Sequence, residues 1–385
     1  MAKGNKSEAC LNDILDENGL HFQSDTARKE YIRSYYQNLY RAPANDQNIR
    51  ADCIREFLGE EILNSRLVQD SRISEATAAR LELPLSLDEL DKSASQGNKS
   101  ASGMDGLSNC FIKKFWNILR IPLFRYTSHC SRTGTLTQSF KTASIKLIPK
   151  KGDCTKLKNW RPISLLSCLY KVISRALTNR LKTVSSTIFS RSQKGFTKDR
   201  YIQEVLINVI EMVAHCKNSG ISGAILSIDQ AKAFDSVSHI YMHYVYEFFG
   251  FGPEFIRLME TLGNNRTACI AFEDGSFSAE INLECGRAQG NTSSPVEYNM
   301  AEQILLFTIK LCPEIQSVYI NHFIERPYLP LPLPQPEMAP INRIWRIRTS
   351  GMNLNLRLLN LIVSLMTIRP VPFWNMVPFP LLKMY

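Results

Sequence analysis

Apolar residues recur along this chain with two periods, and the switches between them outline its elements. Over residues 25–40, Ile32, Tyr35, Tyr36 and Leu39 follow a 3.6-residue repeat, which predicts an amphipathic helix. Residues 43–50 then read as a polar loop. The stretch 86–106, rich in Ser, Asp, Lys and Gly, predicts a mobile loop. Residues 111–119 read as helix, and 144–148 alternate as a short strand broken by Pro149, with a polar turn over 150–158. A long helix follows, with Leu169, Val172, Ile173, Ala176, Leu177 and Leu181 on one face. Lys171, Arg175 and Lys182 gather on another face, turned to phosphates or to water. The run 224–228, apolar apart from Ser227, ends in Asp229, as in a buried strand that delivers a carboxylate at its edge. Helices over about 236–249, with Gly250 as C-terminal cap, and over 295–311 complete the pattern. Beyond Ile320 the periodicity is lost. Residues 328–336 alternate Pro with Leu and Gln, which neither a helix nor a central strand accepts, so no packed domain is predicted there.

Charge changes this picture more than composition does. The hydrophobic share of 44% and charged share of 21% are ordinary for a globular chain. The net charge of +10 is concentrated: residues 141–200 hold fifteen Lys or Arg against Asp153 and Asp199, and the rest is slightly acidic. Such a stretch attracts phosphates. The ten cysteines include no pair closer than fourteen residues, so no zinc-ligand spacing is present and free thiols are expected. The first residues lack the apolar core of a secretory signal. No run is apolar and long enough for a membrane span, since Asn360 and Ser364 interrupt the stretch 358–366. Nucleus or cytoplasm is the expected location, and no membrane partner is expected.

The candidate chemistry lies in Ser227-Ile228-Asp229-Gln230-Ala231-Lys232-Ala233-Phe234-Asp235. A carboxylate at the end of a buried strand is costly to desolvate unless it is paired or holds a metal. This string resembles motif A of reverse transcriptases. The resemblance makes Asp229 the first catalytic carboxylate and a ligand of both Mg²⁺ ions, Phe234 the steric gate beneath the nucleotide sugar, and Asp235 a structural residue. Further matches stand in the family's order. Residues 98–111 are similar to its Lys-Ser-x-Gly-x-Asp-Gly box. Ile148-Pro149-Lys150-Lys151-Gly152 with Asn159-Trp160-Arg161-Pro162-Ile163-Ser164 resembles its fingers hairpin, where Lys150 or Lys151 and Arg161 would clamp the triphosphate, Arg161 in bidentate fashion. Gln193-Lys194-Gly195-Phe196 resembles a box beside the template strand, so Gln193, Gly195 and Phe196 are template-binding candidates. Gly286-Arg287-Ala288-Gln289-Gly290-Asn291-Thr292-Ser293-Ser294-Pro295 is similar to motif B, with Gln289 and Gly290 placed at the nucleotide and the usual Asp/Cys-Pro-Leu centre replaced.

The matches span roughly residues 10–320 and point to the non-LTR, LINE-type class. They imply an α+β right-hand polymerase fold with fingers and a partial palm and without a thumb. Residues 1–90 would be an N-terminal helical extension, 91–221 fingers-like, 222–320 partial palm, and 321–385 a Pro-rich tail that is disordered or read in a shifted frame. The implied partners are an RNA template, a DNA primer and dNTP, with Mg²⁺ as cofactor; the oligomeric state is left open.

Two-metal phosphoryl transfer needs at least two converging carboxylates, and the family takes the others from a Phe-Ala-Asp-Asp hairpin. No Asp-Asp pair follows Asp229, and no aspartate follows Asp274. The expectation is therefore a chain cut short before that hairpin and unable to polymerise. The codons of residues 363–367 permit Phe-Ala-Asp-Asp in another frame without requiring it. The alternative is a non-catalytic nucleic-acid-binding remnant or scaffold. His239 and His243, four apart on a predicted helix, have no third ligand nearby and read as surface or partly buried polar residues.

Overall fold

The computed structural model describes residues 10–311 apart from 45, 99, 151, 221–229 and 231. The predicted strand ending in Asp229, Lys151 and the Pro-rich tail lie outside the described residues.

The first helix forms where the periodicity places it. Ser24 accepts from the amide of Ala27, α1 runs Asp25–Leu39, and Ile32 and Tyr36 are fully buried. There follow α2 (Cys53–Leu63), α3 (Arg66–Gln69), α4 (Glu75–Glu82) and α5 (Leu87–Ser95). Helix α5 corrects the expected mobile loop over 86–106. Ser86 and Glu89 form a reciprocal capping box at 3.2 and 2.8 Å, and Leu90 and Ala94 bury its inner face. The polar composition concealed a short amphipathic helix, and the irregular stretch begins only at Gln96. The helix expected over 111–119 is two, α6 (Asn109–Lys114) and α7 (Trp116–Thr133), meeting at Phe115; Gly134 ends α7 in the left-handed conformation. A single turn, α8 (Gln138–Lys141), leads into the sheet.

Strand β1 (Thr142–Pro149) pairs antiparallel with β2 (Trp160–Leu165), setting Ser144 opposite Leu165 and Ile148 opposite Arg161. The chain then forms α9 (Cys168–Ile188), α10 (Ile202–Asn218), α11 (His239–Phe249) and α12 (Pro253–Gly263) before returning to the sheet. Strand β3 (Arg266–Ala271) lies parallel to β1 and antiparallel to β4 (Ile281–Leu283), giving the order β2-β1-β3-β4. The last described helix is α13 (Ser294–Leu311). Helices around this small mixed sheet make an α+β fold.

The core is built on α9, whose predicted apolar face is buried from Val172 to Leu181 and half-buried at Leu169. Each Leu or Ile so placed contributes about 1.5–3 kcal/mol. The cations expected to face phosphates or water do otherwise. Lys171 is buried and donates to the Ala101 carbonyl at 3.4 Å, and Arg175 donates to the Ser93 carbonyl at 2.7 Å. With Arg180, which binds Glu89 at 2.6 Å, they tie α9 to α5 and the loop behind it; only Lys182 of the three expected cations is exposed. Helix α9 is covered on more than its apolar side, so its charged rows satisfy backbone carbonyls.

The N-terminal segment packs against the sheet. The Leu15 amide donates to Thr155 in the hairpin loop at 3.0 Å, and Lys29 pairs with Asp274 at 2.5 Å. Gln37 and Asn282 exchange two hydrogen bonds, so α1 lies along β4. The described cysteines form no disulfide, and none of the described helices is long and apolar enough to cross a membrane.

Candidate nucleotide and template site

The residues after Asp229 make a tight turn. Lys232 takes a left-handed φ of 54°, and its carbonyl accepts from the amides of Asp235 and Ser236 at 2.9 and 3.0 Å. The turn is sewn to the 286–294 loop: Arg287 donates to the Phe234 carbonyl and Gly286 to that of Val237, both at 2.7 Å. Asp235 is 1% exposed, and its carboxylate accepts from Tyr40 Oη at 3.1 Å and from Gln289 Nε2 at 3.0 Å to each oxygen. Burial raises its pKa, while Lys232, Gln289, Tyr40 and the more remote Lys150 pull it back down. Asp235 thus has the structural role expected of it. Lys232 is the counterpart: its Nζ is buried with no hydrogen-bond partner among the described residues, 5.9 Å from the Tyr35 ring centroid, and burial depresses its pKa.

Two candidate aromatics meet here. Phe234 packs edge-on to Phe196 at 6.4 Å between centroids and against Tyr298 at 5.0 Å. Phe196 has a φ of 55° and is 65% exposed, an aromatic face held open to solvent. Its loop is fixed from both sides. Asn299 of α13 donates to the Gly195 carbonyl at 2.7 Å, and Arg200 donates to the carbonyls of Gln193 at 2.8 Å and Phe189 at 3.0 Å. Tyr298 also donates to Gln230 Oε1.

The 286–294 loop keeps its form although its centre departs from the family pattern. Asn291 Oδ1 accepts from Ser174 Oγ at 2.5 Å, its Nδ2 donates to Ser293 Oγ at 2.9 Å, and Thr178 donates to Thr292 at 3.2 Å. Polar side chains on α9 therefore anchor the replaced residues. At the base of the loop, Arg287 Nε lies 2.8 Å from Glu297 Oε2 in a fully buried ion pair. The Gln289 carbonyl accepts from Ser164 on β2 at 2.8 Å, and Gly290 crosses β2 with a φ of 123°.

The hairpin supplies cations. Its loop closes through the Lys150 amide to Asn159 at 2.7 Å and Trp160 Nε1 to Cys154 at 2.8 Å. The charge of Lys150 reaches both Lys232 and Asp235. Arg161 is exposed on β2, and no contact among the described residues ties it to the turn. His239 and His243 are no metal pair. His239 Nε2 sits 3.0 Å from the Gly286 carbonyl, and burial, with Arg287 second, pushes its pKa down to about 3, so the neutral ring donates. His243 contacts Glu260 at 2.8 Å.

The structure thus brings Phe234, Gln289, Gly290, Gly195 and Phe196 into one connected network with Lys150 nearby, while Asp229 and Lys151 lie outside the described residues. The sequence reading missed Lys232, Tyr40, Tyr35, Tyr298 and Asn299. Lys232 sits inside the motif string itself, whereas Tyr298 and Asn299 carry no sequence signal beyond their place after Pro295. Among the described residues no group of three His, Cys, Asp or Glu could hold a metal ion. Asp235 does not fit a metal, because both its oxygens are taken by donors.

A family model described as reverse transcriptase (RNA-dependent DNA polymerase) matches residues 148–324, which contain the hairpin loop, the Phe196 loop, the Asp235 turn and the Gln289 loop. The Transposon TX1 uncharacterized 149 kDa protein of Xenopus laevis is 31% identical over 310 residues, 80% of this chain and 22% of that protein. The chain carries a reverse transcriptase domain of the non-LTR retrotransposon class. This reverse transcriptase domain is also 26% identical over 235 residues to the Pol polyprotein of the type-1 retrotransposable element R2 from Popillia japonica, covering 60% of this chain and 32% of that one. To the RNA-directed DNA polymerase from mobile element jockey of Drosophila funebris it is 26% identical over 221 residues, 56% of this chain and 24% of that one. The chain spans between about a fifth and a third of the length of these relatives. Reverse transcriptases as a family use divalent metal ions.

Proposed function

We propose that this domain grips a primed RNA template and an incoming dNTP where the β1–β2 hairpin, the Asp235 turn and the Gln289 loop converge. The observation that carries the reading is the Phe196–Phe234 pair: a solvent-facing ring beside a candidate sugar gate, with Lys150 and Lys232 close by. In this reading Gln193, Gly195 and Phe196 meet the template, and Phe196 stacks on a base. Lys150, Lys151 and Arg161 hold the triphosphate, Arg161 through its planar fork. Phe234 lies under the sugar, with Gln289 and Gly290 beside the base pair. Asp229 is the proposed metal-binding catalytic carboxylate, and a bound Mg²⁺ would stabilise charge on the transferring phosphoryl group. Fingers lie around the hairpin and palm around the Asp235 turn. With no aspartate after Asp274, the 385 residues alone are proposed to bind without polymerising.

The test is anisotropy of a fluorescent primed RNA template over a salt series. Affinity is expected to fall steeply with salt, because phosphate contacts release counterions. Phe196→Ala should weaken binding about tenfold, since base stacking on an aromatic is worth about 1–3 kcal/mol, and should leave the salt slope unchanged. Salt-independent binding, or a Phe196→Ala chain that binds as well as wild type, would contradict the reading.

A further inference from the structure

Asp235 joins three distant stretches of chain: its own turn, the loop of Gln289, and Tyr40 at the end of α1. Tyr40 is fixed at both ends. Its carbonyl accepts from the amides of Glu284 and Cys285 at 2.9 and 3.2 Å, and its ring is 5% exposed. The hydroxyl has one acceptor, Asp235 Oδ1 at 3.1 Å. Gln289 is fixed at its backbone by Ser164, and its side-chain NH₂ bridges both carboxylate oxygens. With the NH₂ so occupied, Gln289 Oε1 is left as an acceptor to which no described residue donates.

Lys232 gives this arrangement a competitor. Its ammonium is buried, with no hydrogen-bond partner among the described residues, in the same turn as Asp235. A carboxylate rotates easily about its last torsion, and an unpaired buried ammonium is a strong attractor. What keeps Asp235 facing Gln289 is the pair of donors on that side, and one of them is Tyr40.

We propose that Tyr40 is a positioning residue of the nucleotide site: its hydroxyl holds Asp235, Asp235 holds the Gln289 amide, and the segment before β1 thereby sets where Gln289 Oε1 points. The proposal rests on the reading above that Gln289 meets the nucleotide. Without the hydroxyl, Asp235 turns to Lys232 and the Gln289 amide is released. Tyr36 is the internal control, because its hydroxyl is buried with no hydrogen-bond partner among the described residues.

The experiment titrates a fluorescent dNTP into the full 385-residue chain bound to primed template, for wild type, Tyr40→Phe, Tyr36→Phe, Gln289→Ala and the Tyr40→Phe/Gln289→Ala double variant. Tyr40→Phe and Gln289→Ala are each expected to weaken dNTP binding five- to tenfold, and the double variant no more than the worse single one. Tyr36→Phe should leave dNTP affinity within twofold of wild type, and Tyr36→Phe and Tyr40→Phe should both keep template affinity. Asp235→Asn supplies a second route, since an amide NH₂ in place of Oδ2 cannot accept from Gln289 Nε2 and the carboxylate charge is gone, and it should lose dNTP affinity by a similar factor. The proposal alone is overturned if Gln289→Ala weakens dNTP binding while Tyr40→Phe does not, or if their losses multiply in the double variant. A wild-type chain that grips template but binds no dNTP, or a Gln289→Ala chain that binds it normally, removes the nucleotide reading and the proposal with it.

Discussion

Arg287→Met is expected to destabilise the fold by about 3–5 kcal/mol, and adding Glu297→Leu is expected to restore most of that loss. The two side chains are 3% and 4% exposed, with Arg287 Nε 2.8 Å from Glu297 Oε2 and Arg287 Nη1 donating to Asn264 at 3.1 Å. The guanidinium lies against Gly263, where a Cβ would fall 2.5 Å from Nη1, so the fold has left room for this one side chain. Removing the cation strands a buried carboxylate, which is the costly half of such a pair; removing both leaves an apolar contact of similar volume. Chemical unfolding of the four chains in this cycle measures the coupling directly. A loss under about 1 kcal/mol for Arg287→Met would show that the pair does not anchor the Gln289 loop to α13.

Gly290→Ala is expected to cost about 2–4 kcal/mol and to abolish dNTP binding. A φ of 123° is one that L side chains rarely adopt, and a Cβ there would fall 2.6 Å from the Ser164 carbonyl. The clash is with strand backbone, so the loop must lift from β2 and give up the Ser164–Gln289 bond beside it. Gly275 is the comparison. It has a φ of 82° with open space around it, so Gly275→Ala should show only the backbone strain, about 1–2 kcal/mol, with dNTP binding intact. Equal behaviour of the two variants in unfolding and dNTP titration would mean that the approach to β2 is unimportant.

Periodic apolar faces were legible wherever one side of an element packs and the other is wet. Helix α1 with Ile32 and Tyr36, the apolar face of α9, and α11 with its Gly250 cap follow from spacing alone. Helix α5 was not legible, because only Leu90, Ser93 and Ala94 of its nine residues are buried, which leaves a polar composition, and the capping box of Ser86 and Glu89 is the signal that would have found it. Strand β3 has no strict alternation to read, and β4, with Ile281 and Leu283 turned inward about Asn282, is too short at three residues for its alternation to register. The candidate site was legible as motif strings but not as a geometry. Phe196 and Phe234 stand 38 residues apart and meet only through the fold. Tyr40 and Lys232 take their meaning from Asp235, whose burial no spacing rule announces. Lys171 and Arg175 show the converse, since cations read as a phosphate-facing row are taken up by carbonyls of the protein itself.

We propose that this reverse transcriptase domain binds nucleic acid without completing a two-metal site from these 385 residues. Loss of a single electrostatic element of that kind typically costs about two to three orders of magnitude in rate. The most direct measurement is primer extension on a primed RNA template with dNTPs and Mg²⁺, run beside Asp229→Ala. No incorporation by either chain, with salt-sensitive template binding by both, is the result expected. Incorporation by the wild-type chain that disappears in Asp229→Ala would contradict the account and mean that acids elsewhere in the chain complete the site.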